Sequence, residues 1–326
     1  MNQISRRAVL KMLPATLLLP AGIASAQAWP DRPLRLIVPF PAGSVSDVVA
    51  RALGQALSAN VGQAVVVENR VGASGIIGSE AVAKAPPNGY TLLMGTISSH
   101  ALNPWFYSKL SYDAEKSFVP VSEVALTPNV VVVNAASSIR NMRDFIALTK
   151  SQPNINYATA GIGSGPHLCG ELMKSMVGGI NMTAVPYKGA PESFSAVLGN
   201  EVSMTIQSIT SAMPLIRGGR LRALAVTSVQ RSPTMPEVPA LSEEGFPGYD
   251  FSSWSGVFAP AGTPRDVVNR LHVEIVRAMK SEDVQRSISN QGGVVVASSP
   301  EQFAAFLKAE LVKWGKVIQD SGIKIE

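Results

Sequence analysis

The chain has 326 residues, 46% of them hydrophobic and 16% charged, with a formal net charge of +5. This length and composition suit one large globular domain or two of ordinary size. A positive excess this small gives no reason to expect nucleic acid as a partner, and a single cysteine, Cys169, excludes an intrachain disulfide.

Residues 1–28 have the pattern of an export signal peptide. An arginine pair with a nearby lysine precedes an apolar run over residues 12–23, and two Ala-x-Ala cleavage signals end at Ala26 and Ala28. The pair Arg6-Arg7 favours twin-arginine export, although an ordinary Sec signal shares the basic region. Cleavage would leave a net charge of +2. No later run reaches the ~18 apolar residues of a membrane span, so we expect a soluble periplasmic protein.

The first element after the leader is an apolar run from Leu34 to Phe40, which predicts a strand buried on both faces of a parallel sheet. Residues 41–46 break this strand, and Ser46 or Asp47 can cap the helix that follows. That helix is predicted to bury Val49, Leu53 and Leu57 on one face. The loop therefore joins the carboxyl end of a strand to the amino end of a helix, where free N–H groups favour an anion.

Further strand-like runs alternate with helical patterns along the chain. They cover residues 64–68, 91–94, 129–133, 156–158, 182–185, 202–206 and 221–227. This alternation predicts an α/β fold in which mostly parallel sheets are flanked by helices. Residues 118–128 and 249–259 are candidate crossovers between two lobes.

Two helices near the carboxyl end carry clear start signals. Thr263 and Pro264 predict a cap and a first-turn proline before residues 267–279. Ser299 and Gln302 predict a capping box before the last helix. The helical stripe that follows is expected to face the core, and its members are Phe303, Leu307, Leu311, Trp314 and Ile318.

Four junctions that follow strand-like runs are rich in Gly, Ser or Thr: residues 39–47, 95–100, 160–167 and 187–191. Backbone N–H and hydroxyl groups can bind a carboxylate without a buried cation, although such loops can also be plain turns. The candidate ligand-binding residues are Phe40, Gly43, Ser44, Val45, Ser46, Asp47, Ser98, Ser99, Gly161, Ser164, His167, Tyr187, Lys188, Gly189 and Gln207.

The sequence offers no catalytic or metal site. Residues 72–78 have the spacing G-x-x-G-x-x-G, which indicates a turn rather than a dinucleotide fingerprint, and no P-loop occurs. Ser164 lacks the flanking glycines of a nucleophile elbow, so it is not expected to be a nucleophile. His167 is then not needed as its base, and we expect this histidine to cap a helix or to form a hydrogen bond in a cleft. The three histidines have no metal-ligand spacing. We therefore expect no metal and no cofactor.

Six motifs, taken in order, carry a resemblance: VPFPAGSVSD, VVVENRVGASGIIGSEAVAKA, NGYTLL, VPYKGA, LRALAVTS and APAGTP. Their order is similar to that in the periplasmic receptors of tripartite tricarboxylate transporters, often called Bug receptors, over nearly the whole mature chain. The resemblance implies a two-lobed periplasmic binding protein fold joined by two crossover strands. It places residues 29–125 and 252–326 in one lobe and residues 126–251 in the other. It also implies a small carboxylate ligand and membrane transporter components as partners.

Several positions depart from the family pattern or admit two interpretations. The first loop has Gly43-Ser44 where relatives usually have two glycines, and the amide Gln207, like Ser203, stands where relatives often have an aspartate. A neutral amide there suits plain carboxylates or aromatic acids better than an ammonium group. Lys188 either attracts an anion or is a solvated surface lysine. The alternative functions are a ligand-sensing subunit of a signalling system and an exported α/β hydrolase. We expect a monomer.

If the leader is removed at either Ala-x-Ala signal, the mature protein begins near Gln27 or Trp29. Amino-terminal sequencing of protein from a periplasmic fraction measures this directly. An intact Met1 on protein recovered from the cytoplasm would contradict the export prediction.

Overall fold

A computed structural model describes residues 29–152 and 155–323 of the chain. The predicted leader, residues 1–28, lies outside the described residues. Ten strands form one continuous sheet in the order β2-β1-β3-β9-β4-β7-β5-β6, and both β8 and β10 also pair with β4. The strands are β1 (Leu34–Val38), β2 (Val65–Asn69), β3 (Thr91–Thr96), β4 (Phe118–Asn134), β5 (Ile155–Thr159), β6 (Met182–Pro186), β7 (Met204–Ser208), β8 (Leu221–Val226), β9 (Ser252–Pro260) and β10 (Val294–Val295).

Helices cover both faces of this sheet. They are α1 (Val45–Val61), α2 (Ile76–Ala83), α3 (Asn103–Phe106), α4 (Met142–Ser151), α5 (Gly165–Met176), α6 (Ala190–Leu198), α7 (Ile209–Arg217), α8 (Arg265–Met279), α9 (Glu282–Asn290) and α10 (Pro300–Ser321). A π-helical turn, Ser98–Leu102, precedes α3. The predicted α/β, two-lobed class is confirmed, with parallel strands β2-β1-β3 in one lobe and β6-β5-β7 in the other.

The two predicted crossovers form β9 and the first part of β4. β4 is a single strand, because the run predicted at residues 129–133 continues the crossover without a break. Its first part pairs antiparallel with β9, from Phe118 opposite Pro260 to Pro128 opposite Ser252. Its second part pairs with β7 and β8. The two strands therefore connect the lobes as a paired ribbon. The short strand β10 carried no sequence signal.

The helix starts show which sequence signals were sufficient. At α10 the predicted capping box is confirmed, since Ser299 Oγ accepts from Gln302 N at 3.2 Å and Gln302 Oε1 accepts from Ser299 N at 2.9 Å. At α8 the prediction was wrong by one position. Pro264 itself is the residue before the helix, and the Thr263 hydroxyl donates to the Pro260 carbonyl at 2.7 Å instead of capping.

The core lies on both faces of the crossover ribbon. On one face α1 and α8 bury Val49, Leu53 and Leu271. On the other face α10 buries the predicted stripe, and its Phe303 lies so close to β9 that a Cβ at Gly256 would approach it to 2.1 Å. Only glycine allows that approach. No helix in residues 29–152 or 155–323 is long and apolar enough to cross a membrane.

Buried carboxyl groups lie where α10 crosses the ribbon. The Glu123 side chain of β4 is 5% exposed, and its Oε1 has no partner among the described residues. Burial, reinforced by the nearby Glu310 and Asp250 carboxylates, raises the pKa of Glu123 to about 8. Glu310 Oε2 accepts from the indole nitrogens of Trp254 and Trp314 at 3.0 Å each. We therefore expect Glu123 to be mostly protonated at pH 7.

The raised pKa of Glu123 predicts a pH dependence of stability. The folded protein keeps a proton that the unfolded carboxyl group releases near pH 4.5, so stability should fall as the pH rises from about 5 to 8. Glu123→Gln cannot titrate and should flatten this fall in melting temperature, while Glu282→Gln on the surface should not. The same slope in wild type and Glu123→Gln would contradict the assignment.

Candidate functional site

A cavity of about 270 Å³ lies at the carboxyl ends of β1 and β3, against the crossover ribbon. We call it the interlobe cavity. The residues that line it are Phe40, Ser44, Val45, Ser46, Thr96, Ile97, Ser98, Thr127, Asn129, Ser208, Ser253, Trp254 and Ser255. None of these lining residues is charged, while eight carry hydroxyl groups and one an amide. The cavity therefore offers many neutral hydrogen-bond donors beside apolar walls.

The amino end of α1 points backbone donors at this cavity. The predicted caps were wrong: Ser44 caps the helix, since its Oγ accepts from Asp47 N at 3.3 Å and its carbonyl accepts from Val48 N at 2.9 Å. Within the described chain, no protein group accepts from the N–H of Val45 or Ser46. Two free N–H groups at the positive end of a 17-residue helix form a favourable place for an anion.

Asp47 holds the loop that presents these donors. Its Oδ2 accepts from Gly43 N and Arg51 Nε, both at 2.9 Å, and its Oδ1 accepts from Asn69 Nδ2 at 2.8 Å. Burial opposes ionisation, but the hydrogen bonds from Arg51, Gly43 and Asn69 outweigh it and lower the pKa of Asp47. The carboxylate is 2% exposed, so it positions the loop and does not line the cavity.

The junction after β3 contributes Thr96, Ile97 and Ser98 to the cavity. Ser99 turns inward instead: its Oγ accepts from Thr96 N at 3.0 Å and lies 2.8 Å from His100 Nδ1. His100 stacks on Phe258 with ring centroids 4.0 Å apart, and burial lowers its pKa to about 3. The histidine is therefore neutral and structural, and it fixes the turn that presents Ser98.

The predicted residues of the other lobe lie elsewhere in this structure. Gly161, Ser164, His167, Tyr187, Lys188, Gly189 and Gln207 do not line the interlobe cavity. Ser164 Oγ donates to the Gly161 carbonyl at 2.7 Å, and His167 Nδ1 accepts from Gly163 N at 3.0 Å. These contacts make residues 161–167 a closed loop at the start of α5. Because both groups are engaged within the loop, Ser164 and His167 form no nucleophile–base pair.

The remaining residues of this set make local contacts. The Tyr187 hydroxyl donates to Glu201 Oε2 at 3.4 Å, and Lys188 is exposed beside Glu192. Gly189 precedes α6 with a φ of 152°. The Gln207 amide is buried and donates to Thr205 Oγ1 at 3.0 Å. In residues 29–152 and 155–323, no group of three His, Cys, Asp or Glu side chains is placed to hold a metal ion.

Sequence reasoning missed the contribution of the crossover ribbon. Thr127 and Asn129 of β4 and Ser253 and Ser255 of β9 face the cavity. Their two-residue spacing is the available signal, because alternate residues of a strand share one face. Ser208 was also missed: it caps α7, accepting from Ser211 N at 3.4 Å, and brings a second helix amino end to the cavity.

Comparisons with known proteins identify a family and several relatives. The sequence profile of the family "Tripartite tricarboxylate transporter family receptor" matches residues 49–323. The chain is 37% identical over 332 residues to BugT of Bordetella pertussis, covering all of both chains. It is 39% identical over 293 residues to the "UPF0065 protein in tcbD-tcbE intergenic region" of a Pseudomonas sp., covering 89% of this chain and 87% of the relative.

Solved structures share the whole fold. The periplasmic binding protein BugD is 32% identical with a TM-score of 0.70, over 91% of this chain and 99% of that one. An R. palustris protein with adipate is 35% identical with a TM-score of 0.73, over 91% and 99%. A TctC solute binding protein from Polaromonas with no ligand is 25% identical with a TM-score of 0.82, over 90% and 99%.

The glycines at the two ends of α1 allow a matched pair of substitutions to be compared. Gly43 and Gly62 have φ values of 82° and 69°, and a Cβ at either would meet nothing within 4 Å. Alanine at each should therefore lower the free energy of unfolding by about 1–2 kcal/mol through backbone strain alone. Urea denaturation measures both. A cost much larger at Gly43 than at Gly62 would contradict this equivalence.

Proposed function

Because the chain belongs to the receptor family of the tripartite tricarboxylate transporters, we propose that it is a periplasmic solute-binding protein that delivers a small carboxylate to such a transporter. The family is one of binding receptors rather than enzymes. The proposal includes a cleaved leader and a monomer. It also takes the lobes as residues 29–125 with 252–326, and residues 126–251.

The pair of free N–H groups at Val45 and Ser46 carries this proposal. These N–H groups lie at the positive end of the α1 helix dipole, in a cavity whose lining holds no charged side chain. A carboxylate there would accept two backbone hydrogen bonds and would be stabilised by the partial positive charge of the helix end. No lysine or arginine would have to be desolvated. The hydroxyl groups of Ser44, Ser46 and Ser98 are placed to add further donors.

A ligand with two carboxylates fits this cavity best. The amino end of α7 at Ser208 offers a second set of backbone donors in the other lobe. Phe40 and Ile97 provide apolar surface for the carbon chain between the two ends. A related protein binds adipate, a six-carbon dicarboxylate, which has this arrangement of charge and apolar body. The two carboxylates would then bridge the lobes.

Capture would proceed by closure of the lobes on the ligand. The chain has a TM-score of 0.82 with a ligand-free relative at 25% identity, against 0.73 with the adipate complex at 35% identity. The fold of this chain matches the ligand-free relative more closely than the adipate complex, although the sequence identity is lower. This supports an open arrangement of the two lobes in this chain. Closure about the crossover ribbon would bring residues 161–167 and 187–189 toward the ligand and exclude water.

A thermal-shift screen tests the ligand class. Malonate, succinate, adipate, citrate, glutamate and benzoate form a set that varies in the number and spacing of carboxylates. A ligand at 100 times its Kd adds about 2.7 kcal/mol to stability, which is easily measured. Stabilisation by dicarboxylates is expected, and conversion of a bound ligand, seen by mass spectrometry, would favour the hydrolase alternative.

Val45→Pro removes one of the two proposed donors with little change to the helix. Proline is favoured at the first helical position, and Ser44, with φ −65° and ψ 158°, already has the extended backbone that precedes a proline. A hydrogen bond to a charged acceptor is worth about 1.5–3 kcal/mol, so calorimetric affinity for the best carboxylate should fall roughly tenfold to a hundredfold.

Glu282→Pro is the matched control, because Glu282 is the first residue of α9 and its cap, Ser281, also has an extended backbone. This variant should bind like wild type. The glycine pair extends the comparison: Gly43→Ala should weaken binding, whereas Gly62→Ala should not. Full affinity in folded Val45→Pro protein would place the carboxylate elsewhere.

A further inference from the structure

A second cavity, of about 260 Å³, lies on the opposite face of the crossover ribbon. We call it the hinge cavity. Leu126 and Pro128 of β4 line it, whereas Thr127 and Asn129 of the same strand line the interlobe cavity. This alternation follows from strand geometry, because successive side chains point to opposite faces. The two cavities are therefore separated by the thickness of one ribbon.

Both sides of the hinge contribute to this second cavity. Val294 of β10 forms one wall, and residues 228–233, which follow β8, form the other. Val229 and Val294 are 57% and 36% exposed, so the cavity opens to solvent along an apolar rim. Bending the ribbon to close the interlobe cavity would widen the face behind it. An occupant that fits the widened cavity better than the present cavity would thus favour closure.

The hinge cavity contains one carboxylate that lacks a partner. Asp250 lines it, and no group among the described residues donates a hydrogen bond to its side chain. Burial raises the pKa of Asp250, which Lys313 partly offsets and Glu310 reinforces. The other charged residue of the lining, Arg231, is engaged by Glu243, with Nη2 and Oε2 2.7 Å apart.

The surrounding charges compensate this carboxylate only in part. Lys313 pairs with Glu310, and its Nζ donates to the Asp250 backbone carbonyl at 3.0 Å. Glu123, the third carboxyl group of the cluster, is mostly protonated at pH 7 because of its raised pKa. Glu310 and Asp250 therefore share one ammonium group, Lys313. One further positive charge beside Asp250 would balance the cluster.

We propose that the hinge cavity is a second binding site, which takes a small organic cation with an apolar body and thereby favours closure of the lobes. The ammonium group would pair with Asp250 and the Ser252 hydroxyl, and the alkyl chain would contact Leu126, Pro128 and Val294. A continuous chain of contacts links this site to the interlobe cavity. Trp254, whose neighbours Ser253 and Ser255 face that cavity, donates to Glu310, which pairs with Lys313 beside Asp250.

Calorimetric titration of the ligand-free protein with n-butylammonium chloride tests the site, with n-butanol as the neutral probe of the same shape. Saturable binding of one ion per chain is expected, with butanol at least tenfold weaker. Asp250→Asn should weaken butylammonium at least tenfold. Asp283→Asn, a surface acid on α9, should leave it unchanged. Because no carboxylate ligand is needed, the outcome is independent of the proposed transport function.

Val229→Lys supplies a second variant that keeps Asp250 in place. The new ammonium group at the rim of the cavity should occupy the carboxylate and abolish butylammonium binding while the protein stays folded. Equal binding to wild type, Asp250→Asn and Val229→Lys would overturn the proposal, and so would an absence of saturable binding at millimolar concentration.

Small-angle scattering measures the effect on closure. Butylammonium should lower the radius of gyration of wild-type protein and leave that of Asp250→Asn unchanged. Saturable, Asp250-dependent binding with no change in the radius of gyration of wild type would overturn the link between this site and lobe closure.

Discussion

The antiparallel pairing of β4 with β9 is the constraint on which the other features depend. β4 runs without a break from one part of the sheet to the other, so its register against β9 fixes which residues face each side of the hinge. Register shifts near Ser122 and Ala125 twist the ribbon within the first lobe. A slip of one residue would exchange Thr127 and Asn129 with Leu126 and Pro128, and the polar cavity would lose its rear wall.

The two faces of this ribbon differ in the charge of the side chains beside them. The interlobe cavity has a lining of neutral donors and a helix amino end, so an anion can enter without breaking a buried ion pair. Behind the ribbon, Glu123 and Glu310 are buried and Asp250 and Lys313 are partly buried, and together they form a cluster with more acid than base. Asp47 fits the same separation of charge, because it holds residues 43–46 from behind and does not itself line the cavity.

The sequence was sufficient where local patterns determine the structure. The apolar run at residues 34–40, whose first five residues form β1, the capping box at Ser299 and the helical stripe of α10 each follow from spacing and residue type alone. The four loop junctions were also visible as Gly- and Ser-rich breaks after strands. Because the first junction precedes a long amphipathic helix, its place at a helix amino end could be inferred before the structure was known.

Other features depend on tertiary contacts that no local pattern encodes. Ser44, rather than Ser46 or Asp47, became the cap because Asp47 is drawn inward to Asn69 and Arg51. β10 has two residues and exists only because β4 offers it an edge. Ser208 and Asn129 reach the cavity through the pairing of β7 with the second part of β4, where they lie opposite each other. The predicted residues at 161–167 do not line the cavity, because Ser164 and His167 are engaged within their own loop.

The most direct test of the central claim is the amide NMR spectrum of the protein during titration with its best carboxylate. If the amino end of α1 holds the carboxylate, the N–H resonances of Val45 and Ser46 should show the largest downfield proton shifts, and those of Gly62 and Val61 at the other end should stay in place. Saturable binding that leaves the Val45 and Ser46 resonances unmoved would contradict the account.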